Sequence, residues 1–402
     1  MLPNDAKALG RRVAFHRSKR GLSQKELGTR INRSESWVSQ VERGARRVDR
    51  MSVLETLADA LAVPVGELAV ESSVVAAASE RPRAATSLSL ALSSSDALQA
   101  VLSDVAPVDV ERLGSQAALA WEFAHGSRYE DLSHLLGTLI PELEYAVRKT
   151  SGVDRRRVCV AKAKAYHAAA GVLSKMGETG AAWVAVDRAI TAAEDADDPL
   201  LMAEGAFRLA IVFQSARRFD LAMRTAESAA NALGRLVAAG EPEAVAVRGA
   251  LYLQMAVASA RMNDGDQAYA YLGRAQEAAA QLGADRNDYN TEFGPTNVLL
   301  YEVNIAIELG DAGHALRVAA KADTARLSPE RQARLLIDVA RAHAQRRQLS
   351  LMVSTLRQAE QIAPEQIHAH PLVRELVDDA LRSDQGDSSD VQELAKDLNL
   401  IT

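Results

Sequence analysis

The sequence predicts an all-α protein in which a small five-helix domain precedes a long series of helical pairs. Of its 402 residues, 48% are hydrophobic but 4% are aromatic, so alanine and leucine supply most of the apolar surface. That mix favours close-packed helices over sheets, where aromatic and β-branched residues are enriched. A short turn pattern also recurs along the second part of the chain. Because this length exceeds one ordinary core, we expect two or three domains.

Charge divides the chain into a basic head and an acidic body. Residues 1–50 contain 13 Lys or Arg and 5 Asp or Glu, which leaves 34 basic and 48 acidic residues for the remainder, out of totals of 47 and 53. A basic segment attached to an acidic body is typical of a nucleic-acid-binding end joined to a domain that avoids nucleic acid. The alternative is a basic face that is merely solvated.

Cysteine content and hydropathy indicate the compartment. The single cysteine, Cys159, excludes an intrachain disulfide and favours a reducing environment. No secretory signal opens the chain, and no run of about 18 apolar residues is present to span a bilayer. We therefore expect a cytoplasmic protein without membrane contact.

Capping signals divide residues 6–70 into five short helices. Leu9, Val13 and Arg17 form one face of the first helix, which stops before Gly21. Ser23 and Glu26 have the spacing of a capping box at the start of the second. In the third helix Ser34 is the N-cap and Gly44 the C′ residue, and Val38 and Val41 face inward. The fourth helix is predicted from Met51 to Leu61 and the fifth from Val65 to Leu68.

Two short helices joined by a three-residue turn have helix-turn-helix geometry. The residues that carry a family resemblance are Leu22-Ser23-Gln24, Glu26-Leu27, Val38-Ser39, Val41-Glu42-Arg43-Gly44, Leu54, Leu57-Ala58 and Leu61. In this order they resemble the xenobiotic-response-element family of Cro and repressor-type DNA-binding domains. The resemblance implies that the partner is a double-stranded DNA operator, with the second motif helix in the major groove.

The resemblance also implies a role for each matching position. Gln24 would donate a hydrogen bond to a phosphate, and Glu42 would pair with Arg17 to brace two helices rather than face DNA. Glu35 keeps two interpretations, a favourable helix N-terminal charge or an acceptor for a cytosine amine. The expected base-contacting residues are Glu35, Ser36, Ser39 and Gln40, and the expected backbone-contacting residues are Gln24, Arg43, Arg46, Arg47 and Arg50.

Composition places a linker after this head. Residues 71–95 contain eight serines and six alanines, which is typical of a tether, although Leu88, Leu90 and Leu92 leave docking open. The predicted organisation is residues 1–70 for the DNA-binding domain, 71–95 for the linker, 96–385 for the helical pairs, and 386–402 for a C-terminal helix or tail.

A six-residue turn pattern recurs at the junctions of the helical pairs. Its last residues are Leu132, Ala182, Ala222, Ala268, Ala315 and Leu351, with the first and last copies weaker. The pattern resembles the Gly-Asp-Tyr-x-x-Ala turn of tetratricopeptide repeats, in helices longer than that unit of about 34 residues allows. Stacked pairs of this kind bury a shared core, and the first helix of each pair lines the concave surface.

The register of that family assigns the concave surface to a set of mostly polar side chains. We expect the segment Asp285 to Phe293 to act as a lid, because it is polar and longer than neighbouring turns. Asn297 and Asn304 share one helical face and offer the donors and acceptors that an extended peptide needs. The inward residues are Trp121, Lys164, His167, Lys175, Glu204, Phe207, Gln214, Arg261, Asn297, Asn304, Glu308 and His343. Of these we assign ligand contact to Lys164, His167, Glu204, Phe207, Gln214, Arg261, Asn297 and Asn304.

Enzyme motifs are missing from the sequence. It contains no glycine-rich phosphate loop, no H-E-x-x-H, no paired CxxC and no nucleophile elbow. His368 and His370 give a weak metal signal next to a proline. We therefore predict no catalytic residues, no metal and no cofactor.

The combined architecture resembles the RRNPP group of quorum-sensing regulators, whose repeat domains bind short peptides. The resemblance implies a homodimeric transcription regulator that binds a signalling peptide or small molecule in its groove. The alternative is a DNA-docked scaffold that recruits a protein partner. A ligand-binding regulator predicts a deep groove with convergent polar residues, whereas a scaffold predicts an open, uniformly charged surface. An enzyme with a DNA-binding appendage would need an acid–base pair that the sequence does not show.

Overall fold

The computed structural model describes residues 3–44, 48, 51–61, 63, 82–92, 107–383 and 388–401. These residues are helical throughout, apart from turns, one short 3₁₀ segment and one isolated bridge between Arg286 and Phe293. The chain divides into two compact units, with residues 1–80 and 377–395 in the first and residues 81–376 and 396–402 in the second. The all-α fold class is therefore confirmed.

The head contains four described helices that follow the predicted capping signals. They are α1 (Pro3–Lys19), α2 (Gln24–Arg30), α3 (Glu35–Glu42) and α4 (Met51–Leu61). Ser23 and Glu26 form the capping box, and the Ser34 hydroxyl accepts from the Trp37 amide. Gly44 has a φ of 68°, as a C′ glycine requires. The predicted fifth helix, 65–68, lies outside the described residues.

The second unit is built from helical hairpins. Its helices are α5 (Arg83–Ala91), α6 (Val110–His125), α7 (Tyr129–Lys149), α8 (Gly152–Lys175), α9 (Thr179–Asp195), α10 (Pro199–Ser215), α11 (Phe219–Ala232), α12 (Gly234–Ala238), α13 (Pro242–Arg261), α14 (Gly265–Leu282), α15 (Pro295–Leu309), α16 (Ala312–Ala319), α17 (Pro329–Gln345), α18 (Leu349–Ile362) and α19 (Pro364–Ala369). The chain continues through α20 (Pro371–Leu381) and α21 (Ser389–Asp397).

Each of the six hairpin turns uses one residue in the left-handed region. These residues are Ser127, Gly177, Arg217, Asn263, Gly310 and Arg347. The predicted anchors that follow the first five turns are almost fully buried, as close approach of the second helix requires. The sixth anchor was wrong by one residue, because Leu351 is 49% exposed and Met352 is buried in its place.

The first helices of the six hairpins form an inner ring, defined here as α6, α8, α10, α13, α15 and α17. Each contacts the next in order, and α17 also contacts α6. Side chains reinforce this closure: Lys175 on α8 pairs with Glu330 on α17 at 3.0 Å, and Ser127 donates to Gln366 at 2.7 Å. The concave surface predicted from the sequence is therefore enclosed within this unit.

The predicted linker ends in ordered structure. Residues 83–91 form α5, which packs against α7, and Leu88 and Leu92 belong to the same hydrophobic core as the first hairpins. Leu90 is 63% exposed. Of the two interpretations of residues 83–92, a tether or docking through the leucines, the structure has docking for Leu88 and Leu92, which bury apolar surface that a solvated linker would leave in water. Among the described residues, no helix is long and apolar enough to cross a membrane.

Candidate nucleic-acid interface and candidate ligand site

Close backbone contacts fix the recognition helix α3 in the head. A Cβ atom added to Gly28 on α2 would lie 2.7 Å from the carbonyl oxygen of Arg33, and one added to Gly10 on α1 would overlap the carbonyl of Glu42. Only glycine permits such approaches. Leu27, Val38 and Val41 are buried beneath these contacts. The helix is therefore held on both sides by α1 and α2.

A polar network connects α1, α2 and α3. Arg17 donates through Nε and Nη2 to the two carboxylate oxygens of Glu42, at 2.5 and 3.1 Å, and through Nη1 to the Leu22 carbonyl at 2.7 Å. The hydrogen bond to Glu42 raises the pKa of Arg17. Gln24 donates to Glu42 at 2.6 Å, so one of its two amide hydrogens is engaged inside the domain. The structure thus brings the predicted Arg17–Glu42 pair together.

The residues predicted to read bases lie along one side of α3. Glu35 and Ser36 are exposed in its first turn, and Ser39 and Gln40 are partly exposed one turn later. Arg43 is exposed at the helix end, where its Nε donates to the Ser39 carbonyl at 3.2 Å. The predicted phosphate contacts Arg46, Arg47 and Arg50 lie outside the described residues. The described side chains form a polar edge along α3, and the buried valines on the opposite face fix the orientation of this helix.

Polar side chains also converge inside the inner ring, where they form one connected network. Gln214 donates to Gln254 at 2.8 Å, and Gln254 donates to the Tyr301 hydroxyl at 2.8 Å. Arg261 donates to Gln214 at 3.1 Å and pairs with Glu308 at 3.5 Å. Two predicted ligand contacts, Gln214 and Arg261, are therefore used within the domain.

The two asparagines behave differently from each other. Asn304 donates from its amide nitrogen to both oxygens of Asp338, at 3.2 and 3.0 Å, which leaves only its Oδ1 without a partner. The amide nitrogen of Asn304 therefore faces Asp338 in this structure, and contact of Asn304 with an extended peptide stays a prediction. Asn297 is buried, and its Oδ1 has no hydrogen-bond partner.

Glu204 and His167 are fully buried without a hydrogen-bond partner in the protein. Burial raises the pKa of Glu204 to about 8, against the opposing effect of Arg208 at 3.7 Å. Burial and then Arg208 lower the pKa of His167 to about 3. Both groups are thus neutral near pH 7, as expected for titratable side chains that burial removes from water.

Arg208 lies at the centre of this region. Its guanidinium is 4.7 Å from the centroid of the Trp121 ring and 4.9 Å from that of Phe207. The Nε of Arg208 and the Nε1 of Trp121 are buried without a partner. Phe207 itself belongs to the hydrophobic core, and its ring contacts Arg208. Lys164 is partly exposed nearby, and its charge acts on Glu204.

The segment predicted as a lid lies among these ring residues. Arg208 donates to the Asn290 carbonyl at 2.6 Å, and Arg331 donates to the Thr291 carbonyl at 3.1 Å and to the Glu292 carboxylate at 3.2 Å. His125 is 3.7 Å from the same carboxylate. Six interior residues were not predicted from the sequence: Arg208, Gln254, Arg331, Arg334, Asp338 and Arg341. Four of them lie on α17 at intervals of three or four residues, a spacing that places them on one face of the helix and could have identified them from the sequence.

The weak metal signal near the C-terminus separates into two unrelated contacts. His368 lies 2.7 Å from Glu360, whereas the ring of His370 accepts from the Leu372 amide at 3.3 Å. In the part of the chain that the structure describes, no group of three His, Cys, Asp or Glu side chains is arranged to hold a metal ion.

Comparison with known proteins assigns the head. Residues 8–70 match the family model described as a helix-turn-helix domain. The head is therefore similar to helix-turn-helix domains, and the described part of the chain after it is built from helical hairpins. Among solved structures, Bacillus thuringiensis PlcR in complex with the peptide PapR7 and DNA is 15% identical, with a TM-score of 0.30, over 69% of this chain and 96% of that one. No curated protein matches the sequence.

Proposed function

We propose that the protein is a sequence-specific transcription regulator whose repeat domain binds a ligand that alters DNA binding. The observation that carries the DNA-binding part is α3, which presents a polar edge from a helix-turn-helix domain in the basic head. Its buried valines fix the rotation of the helix, so the same side chains always face outward. Such an element reads base edges in the major groove.

Individual residues divide into base readers and phosphate contacts. In this proposal Glu35, Ser36, Ser39 and Gln40 read bases, and Gln40 pairs with an adenine through its amide. The phosphate contacts are Gln24, Arg43, Arg46, Arg47 and Arg50. Two heads in a homodimer would read half-sites about 34 Å apart or a multiple of that spacing.

Selection of operator DNA from a random pool tests the DNA-binding part. The purified full chain should enrich a discrete sequence with two half-sites, and Gln40→Ala should lose preference at one position of each by about 1–3 kcal/mol. Arg43→Ala is the matched control, because loss of a phosphate contact weakens all sequences alike. Equal recovery of every sequence by the wild type would refute the proposal.

Glu35→Gln resolves the two interpretations of that residue. A cytosine acceptor predicts an altered preference at one operator position, since the amide replaces an acceptor oxygen with a donor. A helix N-terminal charge predicts uniformly tighter binding to all DNA, because repulsion of phosphate is removed. The same selection experiment distinguishes them.

The enclosed polar interior supports a ligand over a recruited protein. Convergent buried groups without partners, among them Glu204 and Trp121, suit a ligand that the ring surrounds. The scaffold alternative requires an open surface instead. The ligand class that we propose is a short peptide or a small polar molecule, and its effect on DNA binding requires different affinities for two states of the protein.

Thermal unfolding with an extract of the producing cells' medium tests the ligand part. We expect the extract to raise the melting temperature of the wild type and to have less effect on Asn297→Leu, which removes the unpartnered interior amide. An exposed variant on the outer surface, Glu227→Gln, serves as the control. An equal rise in the melting temperature of all three proteins would show that the ligand binds away from Asn297. The result is independent of the DNA selection.

A further inference from the structure

The loop between α14 and α15 has a fixed base and a tip held by the ring. At the base, the Arg286 amide donates to the Phe293 carbonyl at 2.9 Å, and Asp285 accepts from the Thr296 amide at 2.9 Å. Phe293 is fully buried against Gly249, where any Cβ atom would overlap its ring. These contacts tie both ends of the loop to the hydrophobic core and leave residues 287–292 as a distinct tip.

The tip has backbone dihedral angles that residues other than glycine rarely adopt. Tyr289, Asn290 and Glu292 have φ angles of 48°, 54° and 48°, three left-handed residues within four positions, and none is glycine. Such conformations persist only where surrounding contacts hold them. The conformation of the tip therefore depends on the groups that it contacts inside the ring.

Those contacts are the ones that a bound peptide would make. Arg208 and Arg331 donate to the main-chain carbonyls of Asn290 and Thr291, which every peptide possesses. Arg331 and His125 face the carboxylate of Glu292. The three ring residues come from α6, α10 and α17, which are far apart in sequence. They form a site for a carbonyl and a carboxylate presented from within the ring.

The tip fills this site incompletely. Trp121 Nε1 and Arg208 Nε are buried donors without a partner, and both carboxyl oxygens of Glu204 lack a hydrogen bond. Buried polar groups of this kind are usually satisfied. A ligand with further polar groups would satisfy atoms that the tip does not reach.

We propose that residues 287–292 are an internal occupant of the ligand site, and that the ligand which displaces them presents a carboxylate to Arg331 and His125. This inference rests on the proposed ligand-binding function and specifies its chemistry. Removal of Glu292 leaves Glu330, 3.5 Å away, as the carboxylate paired with Arg331, so an incoming anion restores the charge that the tip supplied. The ligand is thus an acidic peptide or another carboxylate, and the site opens when the tip leaves.

Replacement of residues 287–292 by six alternating glycines and serines in the full chain tests the proposal, because Phe293 and Asp285 keep the base in place. The probe is the free peptide Asn-Asp-Tyr-Asn-Thr-Glu, acetylated and amidated at its ends. The matched control peptide carries Gln in place of its final Glu. Melting temperature at millimolar peptide is the readout, since it needs no DNA and no identified ligand.

We expect the acidic peptide to raise the melting temperature of the replaced chain and to bind at least about tenfold more tightly than its Gln control. The wild type, whose own tip has a high effective concentration, should show no rise. Arg331→Gln in the replaced chain should abolish the difference between the two peptides. Equal binding of both peptides, or no binding by the replaced chain, would overturn the inference while leaving operator selection unaffected.

Glu292→Gln in the otherwise unchanged chain gives a second measurement should the replaced chain fail to fold. Hydrogen exchange at residues 289–292 should accelerate by about tenfold, since the ion pair with Arg331 is lost. Glu302→Gln is its control, because Glu302 also faces a histidine, His314, at 3.0 Å but lies outside the loop. Unchanged exchange in Glu292→Gln would show that the tip is not held by its carboxylate.

Discussion

The head and the inner ring both bury charged side chains, but they satisfy them differently. In the head, Glu42 accepts three hydrogen bonds, two from Arg17 and one from Gln24. In the ring, Glu204 accepts none and lies 3.7 Å from Arg208. A satisfied network supports a fixed geometry, whereas an unsatisfied one costs folding free energy and is retained for another reason. The difference separates the braced head from the ring interior that we propose binds a ligand.

Loss of the bracing acid should have the largest effect. Glu42→Ala leaves Arg17 partly buried without its partner and should lower the local stability of the head by about 3 kcal/mol. Hydrogen exchange of the buried amides in α2 and α3 measures this change. Glu35→Ala is the control, because Glu35 is exposed and its loss should change stability by about 0.5 kcal/mol or less. Similar losses in both variants would remove the distinction between bracing and surface acids.

A steric change tests the fixed base of the loop in the ring. Gly249→Ala should lower the free energy of unfolding of the repeat region by about 2 kcal/mol, since the added methyl group forces Phe293 from its position. Thermal unfolding measures the effect. Gly273→Ala on α14 is the matched control, because its Cβ would meet nothing within 4 Å and alanine favours a helix by up to about 1 kcal/mol. A stabilised Gly249→Ala would show that the base is loosely packed.

The unsatisfied acid predicts a specific pH dependence. Burial raises the folded pKa of Glu204 to about 8, from the ordinary 4.5, so the folded state retains a proton that the unfolded state releases between these values. Stability from this group is complete below pH 4.5 and declines as pH rises through 8. The free energy of unfolding of the wild type, minus that of Glu204→Gln, should therefore fall as pH rises from 4.5 to 8, by at most about 1.4 kcal/mol per pH unit.

Unfolding at pH 5, 6.5 and 8 measures this difference. The folded pKa of His167, about 3, lies below its ordinary value of 6.5. The contribution of His167 to the free energy of unfolding therefore declines as pH falls below 6.5, opposite to that of Glu204. Its effect is common to both proteins, and the comparison removes it. A pH-independent difference would mean that Glu204 is ionised in the folded protein.

Local signals predicted the head better than the ring. The capping box at Ser23 and Glu26 and the bounds of α4 follow from residues within a few positions of one another. The turn pattern likewise located the hairpins. Closure of the ring and the position of the loop tip depend on contacts such as Arg208 with Asn290, which are 82 residues apart. The repeat register predicts which face of a helix points inward. It does not predict which segment of the chain occupies the space inside the ring.

The same limit applies at individual residues. The sequence places Asn304 on an inward face, but not its contact with Asp338 on a neighbouring helix. Leu88 lies in a serine-rich stretch, and it is buried because α7 supplies an apolar partner. In both places the partner is one that sequence spacing does not specify.

One paired measurement tests the central claim that the head acid stabilises folding whereas the ring acid is kept for binding. Glu42→Met and Glu204→Met replace the two acids by a side chain of similar length without charge, and urea unfolding followed by hydrogen exchange reports each unit separately. The account predicts opposite signs, with the head destabilised by about 2 kcal/mol or more and the ring stabilised by about 1 kcal/mol. Destabilisation of the ring by Glu204→Met would contradict it, because the acid would then contribute to folding.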